Sequence, residues 1–144
     1  MTKHNANAIW NGGLKEGKGN VSTESGALDS PYTYKARFEG DKSGGTTPEE
    51  LIGAAHAGCF SMFLSSLLEK DGHPPRHIRT EANVHLEITD KGPLISRIEL
   101  VTEGDVPDIK EAEFLQYAQQ AKEACPVSKA LAAVPEIKLT ATLK

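Results

Sequence analysis

No basic run longer than a pair occurs in this chain, and its formal net charge is −4. Nucleic acid is therefore not an expected partner, since a phosphate backbone calls for a basic stripe or patch. The opening MTKHNANAIW has neither an apolar signal core nor an Arg-rich amphipathic pattern. Neither secretion nor organelle import is expected, and the cytoplasm is the expected compartment. There are only two cysteines. In such a setting they are more often free thiols or a redox pair than a structural staple. No CxxC and no second paired ligand set accompanies them, which argues against a metal site, and no repeat or low-complexity segment is present. At 144 residues a single domain over 1–144 is the simplest expectation, long enough to bury a core.

What is present is organised around Thr47–Gly72, TPEELIGAAHAGCFSMFLSSLLEKDG. Thr47 suits an N-cap, Pro48 the first helical position, and Glu50 the reciprocal place of a capping box. Gly72 marks the end. Between Leu51 and Leu68 the only titratable side chains are His56 and Cys59. A helix so apolar or small all round is a core helix or a membrane span. The run is marginal in length for a bilayer, carries His56, Ser61, Ser65 and Ser66, and has no basic flank. A core helix is expected, with no membrane association.

The rest of the chain frames it. Ala6–Thr23 reads as a hairpin, with Asn11-Gly12-Gly13 and Gly17-Lys18-Gly19 as turn signals. Tyr32, Tyr34, Ala36 and Phe38 alternate with polar residues and predict a strand. Gly40–Gly45 reads as a flexible connector. Ile78–Thr89 and Leu94–Val106 predict a second hairpin across Asp90–Pro93. A helix is expected from about Asp108, with Asp108 and Glu111 as a capping pair and Phe114, Leu115, Ala118 and Ala121 as its apolar stripe. Pro126 then starts a short helix, and Glu136–Lys144 alternates as a closing strand. Turn-linked strands of this kind predict an α+β fold with antiparallel sheets wrapped around a long buried helix. One chain of this size does not readily cover that helix on every side, so a homodimer with the helix near its interface is expected.

Cys59, mid-helix among small residues, is compatible with a buried small hydrophobe. Cys125, directly before Pro126, falls at an N-cap, where the helix dipole and free N–H groups favour a thiolate. Two structural cysteines, a redox couple, or ligation involving His56 and Cys59 at i, i+3 all fit the spacing. A reactive thiol needs a positive neighbour, and that neighbour an acid to steer it. Arg37 and Glu49 are the candidates, although taken alone Arg37 reads better as a solvated strand charge and Glu49 as a carboxylate serving the helix dipole.

Four motifs in order narrow these alternatives: W-x-G-x-x-x-x-G-x-G from Trp10, R-F-E-G at Arg37–Gly40, TPEELIGAAHAGCFSM at Thr47–Met62, and A-C-P-V-S at Ala124–Ser128. Together they resemble the OsmC/Ohr family of osmotically inducible and organic-hydroperoxide-resistance proteins, and most closely its OsmC branch. The resemblance implies a thiol peroxidase without cofactor or metal, active in oxidative and osmotic stress defence. Cys59 matches the peroxidatic cysteine, Cys125 the resolving one, and Arg37 and Glu49 the pair that holds the thiolate. It also implies an intertwined homodimer with sites at the subunit interface. Gly58 departs from the alanine common in the family, a small-for-small change.

On that reading Cys59 attacks an organic hydroperoxide, more weakly hydrogen peroxide, and becomes a sulfenic acid. Cys125 condenses with it, and an external dithiol, of the lipoyl kind family members use well, reduces the bridge. Phe60, Phe63 and Tyr34 are expected to favour apolar peroxides. Glu49 and Cys59 are ten residues apart, about 15 Å along a helix axis. A Glu49–Arg37 pair serving Cys59 is therefore expected from the partner subunit. The alternative is a non-catalytic dimeric protein whose apolar cleft holds a lipid-like ligand.

Overall fold

A computed structural model describes residues 1–144 as two compact units, 1–51 and 52–144. In the first, β1 (Ala6–Asn11), β2 (Lys18–Thr23) and β3 (Asp29–Tyr32) form an antiparallel sheet in that order. The expected Ala6–Thr23 hairpin is its first two strands. Trp10 pairs with Gly19, and the Trp10 and Tyr32 rings lie 5.3 Å apart. A Cβ at Gly19 would collide with both rings, so glycine is what lets them meet there.

The strand expected over Tyr32–Phe38 ends at Tyr32. Tyr34–Phe38 is instead a short helix, α1, capped by Thr33, whose Oγ1 accepts the Ala36 N–H at 3.1 Å. Tyr34 and Phe38 satisfy helical i, i+4 spacing as well as period two, and their rings sit 4.9 Å apart on one side of the turn. The Gly40–Gly45 connector contains one 3-10 turn, Lys42–Gly44, capped by Asp41.

Helix α2 (Pro48–Lys70) is continuous. Thr47 Oγ1 accepts the Glu50 N–H at 3.0 Å, as expected of its N-cap. At the other end Gly72 adopts φ +85° and the His73 N–H reaches back to the Leu68 carbonyl at 2.8 Å, closing the helix.

The second unit is built on β4 (His77–Thr89), β5 (Gly92–Asp105) and β6 (Glu136–Leu143), ordered β4-β5-β6. The β4–β5 hairpin is antiparallel, with a register shift at His85/Leu86. β6 runs parallel to β5, the one departure from antiparallel pairing. Helices α3 (Glu111–Ala124) and α4 (Pro126–Ala130) make the crossover that parallel pairing requires. The α3 cap is Lys110, whose N–H donates to the Glu113 carboxylate at 3.1 Å. Asp108 is not the cap: with φ +65° it belongs to the preceding turn.

Phe60, Leu64 and Leu68 of α2 join Ile98 and Leu100 of β5 and Phe114, Ala118 and Ala121 of α3 in one core. Each fully buried Phe or Leu contributes roughly 1.5–3 kcal/mol. The same flank of α2 carries buried Gly53 and His56. At Gly53 a Cβ would stand 3.2 Å from the Ala82 carbonyl oxygen, so the missing side chain is what allows helix and strand to lie this close. The helix is long and apolar enough to cross a bilayer by length and composition alone. Its packing into this core identifies it as a core helix. The opposite flank, Ala54, Gly58, Met62 and Ser66, is exposed, with Met62 at 79%.

Candidate active site

The first unit supplies a cation and a carboxylate. The Thr33 cap fixes α1, so Arg37 falls in its last turn, while the Thr47 cap fixes Glu49 in the first turn of α2. Arg37 Nε and Nη2 both donate to Glu49 Oε1, each at 2.9 Å. Glu49 is buried, and the helix N-terminus favours its charge. The Arg37 side chain stays 37% exposed, so part of the guanidinium is free for another oxygen. Glu50 is exposed and spends its N–H on the cap, which separates the roles of the two neighbouring acids. Arg37 also closes one end of a cleft of about 220 Å3 whose other walls include Trp10, Leu14, Tyr32, Tyr34 and Phe38.

The second unit supplies the thiols. Cys59 is half-buried on α2, Cys125 fully buried between α3 and α4, and both are free. Cys125 and the Val127 backbone N–H both lie close enough to act on the Cys59 thiol. Burial pushes the Cys59 thiol up from its ordinary value; the Val127 N–H pulls it down, and Cys125 raises it further. Cys125 is the N-cap of α4, its Sγ accepting the Ser128 N–H at 3.3 Å, with Pro126 at the first helical position. The N-cap position expected of Cys125 before Pro126 is therefore present.

Two residues that sequence reasoning left without a role extend this group. The Cys125 thiol donates to Ser128 Oγ at 3.1 Å, and Ser128 Oγ lies 2.7 Å from His56 Nε2. His56 is fully buried, which pushes its pKa down and keeps the ring neutral, and its Nδ1 has no partner. His56 thus turns Nε2 to Ser128 and does not join Cys59 as a ligand pair. The signal for Ser128 was its place three residues after the cap; for His56 it was the only imidazole in an otherwise apolar helix. Phe60, expected to shape substrate preference, is wholly in the core, whereas Tyr34 does line the Arg37 cleft.

A sequence profile of the family described as OsmC-like protein matches residues 40–140. The chain belongs to the OsmC-like family. Among curated relatives, this OsmC-like chain is 51% identical to Peroxiredoxin OsmC of Escherichia coli, over 100% of its own length and 99% of that protein's. It is 33% identical to an organic hydroperoxide resistance protein-like chain of Staphylococcus aureus, covering 78% and 79% of the two. Among solved structures it superposes on the organic hydroperoxide resistance protein OhrB of Bacillus subtilis with a TM-score of 0.71 and 25% identity, covering 97% of this chain and 98% of that one.

Proposed function

We propose that this chain reduces organic hydroperoxides to alcohols through a Cys59 sulfenic acid and a Cys59–Cys125 disulfide, in defence against oxidative and osmotic stress. Identity of 51% over the whole length to Peroxiredoxin OsmC makes the chain a peroxidase with a peroxide-detoxifying redox role. The Cys59–Cys125 cycle is supported by the adjacency of the two free thiols, one half-buried and one buried at a helix cap.

The Cys59 thiolate attacks one peroxide oxygen; the S–O bond forms as O–O breaks, and the alkoxide leaves as alcohol after taking a proton. Cys125 then attacks the Cys59 sulfur and expels the oxygen as water. An external dithiol, with a lipoyl-type carrier as the candidate, reduces the bridge. The proposed roles of Arg37 are to hold the thiolate and to meet the charge developing on the leaving oxygen, with Glu49 fixing the guanidinium. The apolar cleft beside Arg37 suits the alkyl part of an organic peroxide.

Because α2 is continuous, Glu49 and Cys59 lie about 15 Å apart along one helix axis. The proposed assembly is therefore a homodimer in which Arg37 and Glu49 of the partner subunit serve each Cys59. The exposed Ala54–Gly58–Met62–Ser66 flank is the face available for it. The cytoplasm is the proposed compartment, with 1–144 acting as a single domain.

The test is steady-state peroxidase activity with a small dithiol, comparing an organic hydroperoxide with hydrogen peroxide. The expected result is preference for the organic peroxide and complete loss in Cys59→Ser. Activity unaffected by Cys59→Ser, or absent in the native protein, rejects the proposal in favour of an apolar-ligand-binding protein.

A further inference from the structure

Cys125 is buried, and a buried thiol has no water to take its proton when it must act as a nucleophile. Its polar surroundings are specific. The thiol donates to Ser128 Oγ at 3.1 Å, and that oxygen is 2.7 Å from His56 Nε2 across 72 residues of sequence. With the thiol proton directed at Ser128 Oγ, the Ser128 hydroxyl proton is the one left to donate to Nε2. In the Nδ1–H tautomer Nε2 accepts that proton, the arrangement a relay uses; in the Nε2–H tautomer the ring donates to Ser128 Oγ instead.

Neither side chain is needed for architecture. The helix cap uses the Ser128 backbone N–H, which any residue but proline would supply. His56 is fully enclosed with Nδ1 unpartnered, so its ring carries a buried polar atom that packing alone does not call for. A buried polar chain that ends in a neutral imidazole and begins at a thiol has the layout of a proton path.

We propose that Ser128 and His56 relay the proton of the resolving thiol. As Cys125 attacks the Cys59 sulfenic acid, its proton moves to Ser128 Oγ and the Ser128 hydroxyl proton moves to His56 Nε2. The sulfur–sulfur bond forms with the Cys125 electron pair, and the sulfur–oxygen bond of Cys59 breaks with its pair on oxygen. Ser128 then gives a proton to the departing hydroxide and takes one back from His56, leaving water and neutral His56. One water and one disulfide result from one thiol and one sulfenic acid, with no outside oxidant or reductant. Ser128 touches the reacting sulfur; His56 acts through Ser128 and is a positioning residue.

This inference rests on the proposed roles of Cys59 and Cys125, and single-turnover kinetics separate the two questions. Reduced protein is mixed with one equivalent of an organic hydroperoxide. Cys59 oxidation is followed by dimedone trapping, and disulfide closure by mass and by thiol loss. In Ser128→Ala, Cys59 oxidation is expected at the native rate while disulfide closure slows about 100-fold and trapped sulfenic acid accumulates. His56→Gln shifts the same step in the same direction, and Ser128→Thr, which keeps the hydroxyl, restores it. The native closure step carries a solvent deuterium isotope effect that Ser128→Ala abolishes.

Disulfide closure at native rates in both Ser128→Ala and His56→Gln overturns the relay. So does equal slowing of both steps, which marks a merely structural role, with Cys59 oxidation as the internal check on folding. A native protein that oxidises without ever forming the Cys59–Cys125 bridge rejects the underlying mechanism instead.

Discussion

Arg37 holds a single oxygen of Glu49 with two nitrogens, Nε and Nη2 each 2.9 Å from Oε1. The second carboxylate oxygen takes no part in that grip, and the guanidinium is oriented without being used up. Turning it therefore requires breaking two charge-assisted bonds at once.

Glu49→Gln should leave the fold intact but loosen that orientation. The expected loss in kcat/KM for an organic hydroperoxide is about 10-fold, and about 100-fold for Arg37→Met, which removes the charge itself. Arg37→Met should also raise the apparent pKa of Cys59 reactivity, read from alkylation rate against pH. Burial already pushes that thiol up, so loss of that positive charge leaves less thiolate at neutral pH.

His56 makes stability depend on pH in a defined direction. Burial lowers its pKa in the folded protein from 6.5, so between the two values the unfolded chain binds a proton that the folded chain does not. Stability attributable to this group is complete above 6.5 and is lost as pH falls toward the folded value. Urea unfolding across that window should show falling stability in the native protein and a flatter profile in His56→Gln.

Cys125 caps α4 with sulfur, accepting the Ser128 N–H. Cys125→Ala removes both the cap and buried volume, and is expected to destabilise by about 1–3 kcal/mol. Cys125→Ser, which restores an acceptor for that N–H, should recover part of the loss. Denaturant midpoints of the reduced proteins, at constant m, check both.

Met62 stands 79% exposed in a flank of small residues. If two copies meet there, Met62→Glu places two carboxylates against an apolar face and shifts the protein toward monomer. Sedimentation equilibrium should detect this at micromolar concentrations, with peroxidase activity falling in step as the shared sites come apart. Dimerisation unchanged in Met62→Glu rejects that face.

Much of this was legible in the chain. Thr47, Pro48 and Gly72 bound α2 because capping is local chemistry, and the β4–β5 hairpin followed from uninterrupted alternation. The Cys125 cap was readable from Pro126 alone. The α1 segment misled because Tyr34 and Phe38 satisfy two periodicities, and only the Thr33 hydroxyl at the cap decides between them. Alternation in Glu136–Leu143 marks a strand but carries no direction, so parallel pairing with β5 was not readable. The His56–Ser128 contact joins distant residues, and no local pattern reports it.

The parallel pairing of β6 with β5 has a consequence for synthesis. Cys59 lies on a helix completed early, but Cys125 sits within the crossover that β6 anchors to the sheet. Until the ribosome has delivered Glu136–Leu143, the α3–α4 segment packs through α3 but lacks the strand that ties its far end to the sheet. On the proposed mechanism, a nascent chain that has Cys59 but not yet a fully anchored Cys125 lacks the second sulfur in place to close a bridge. The interval between translating the two cysteines is then a window of vulnerability to the oxidants the finished protein removes, and in that interval protection must come from molecules already made.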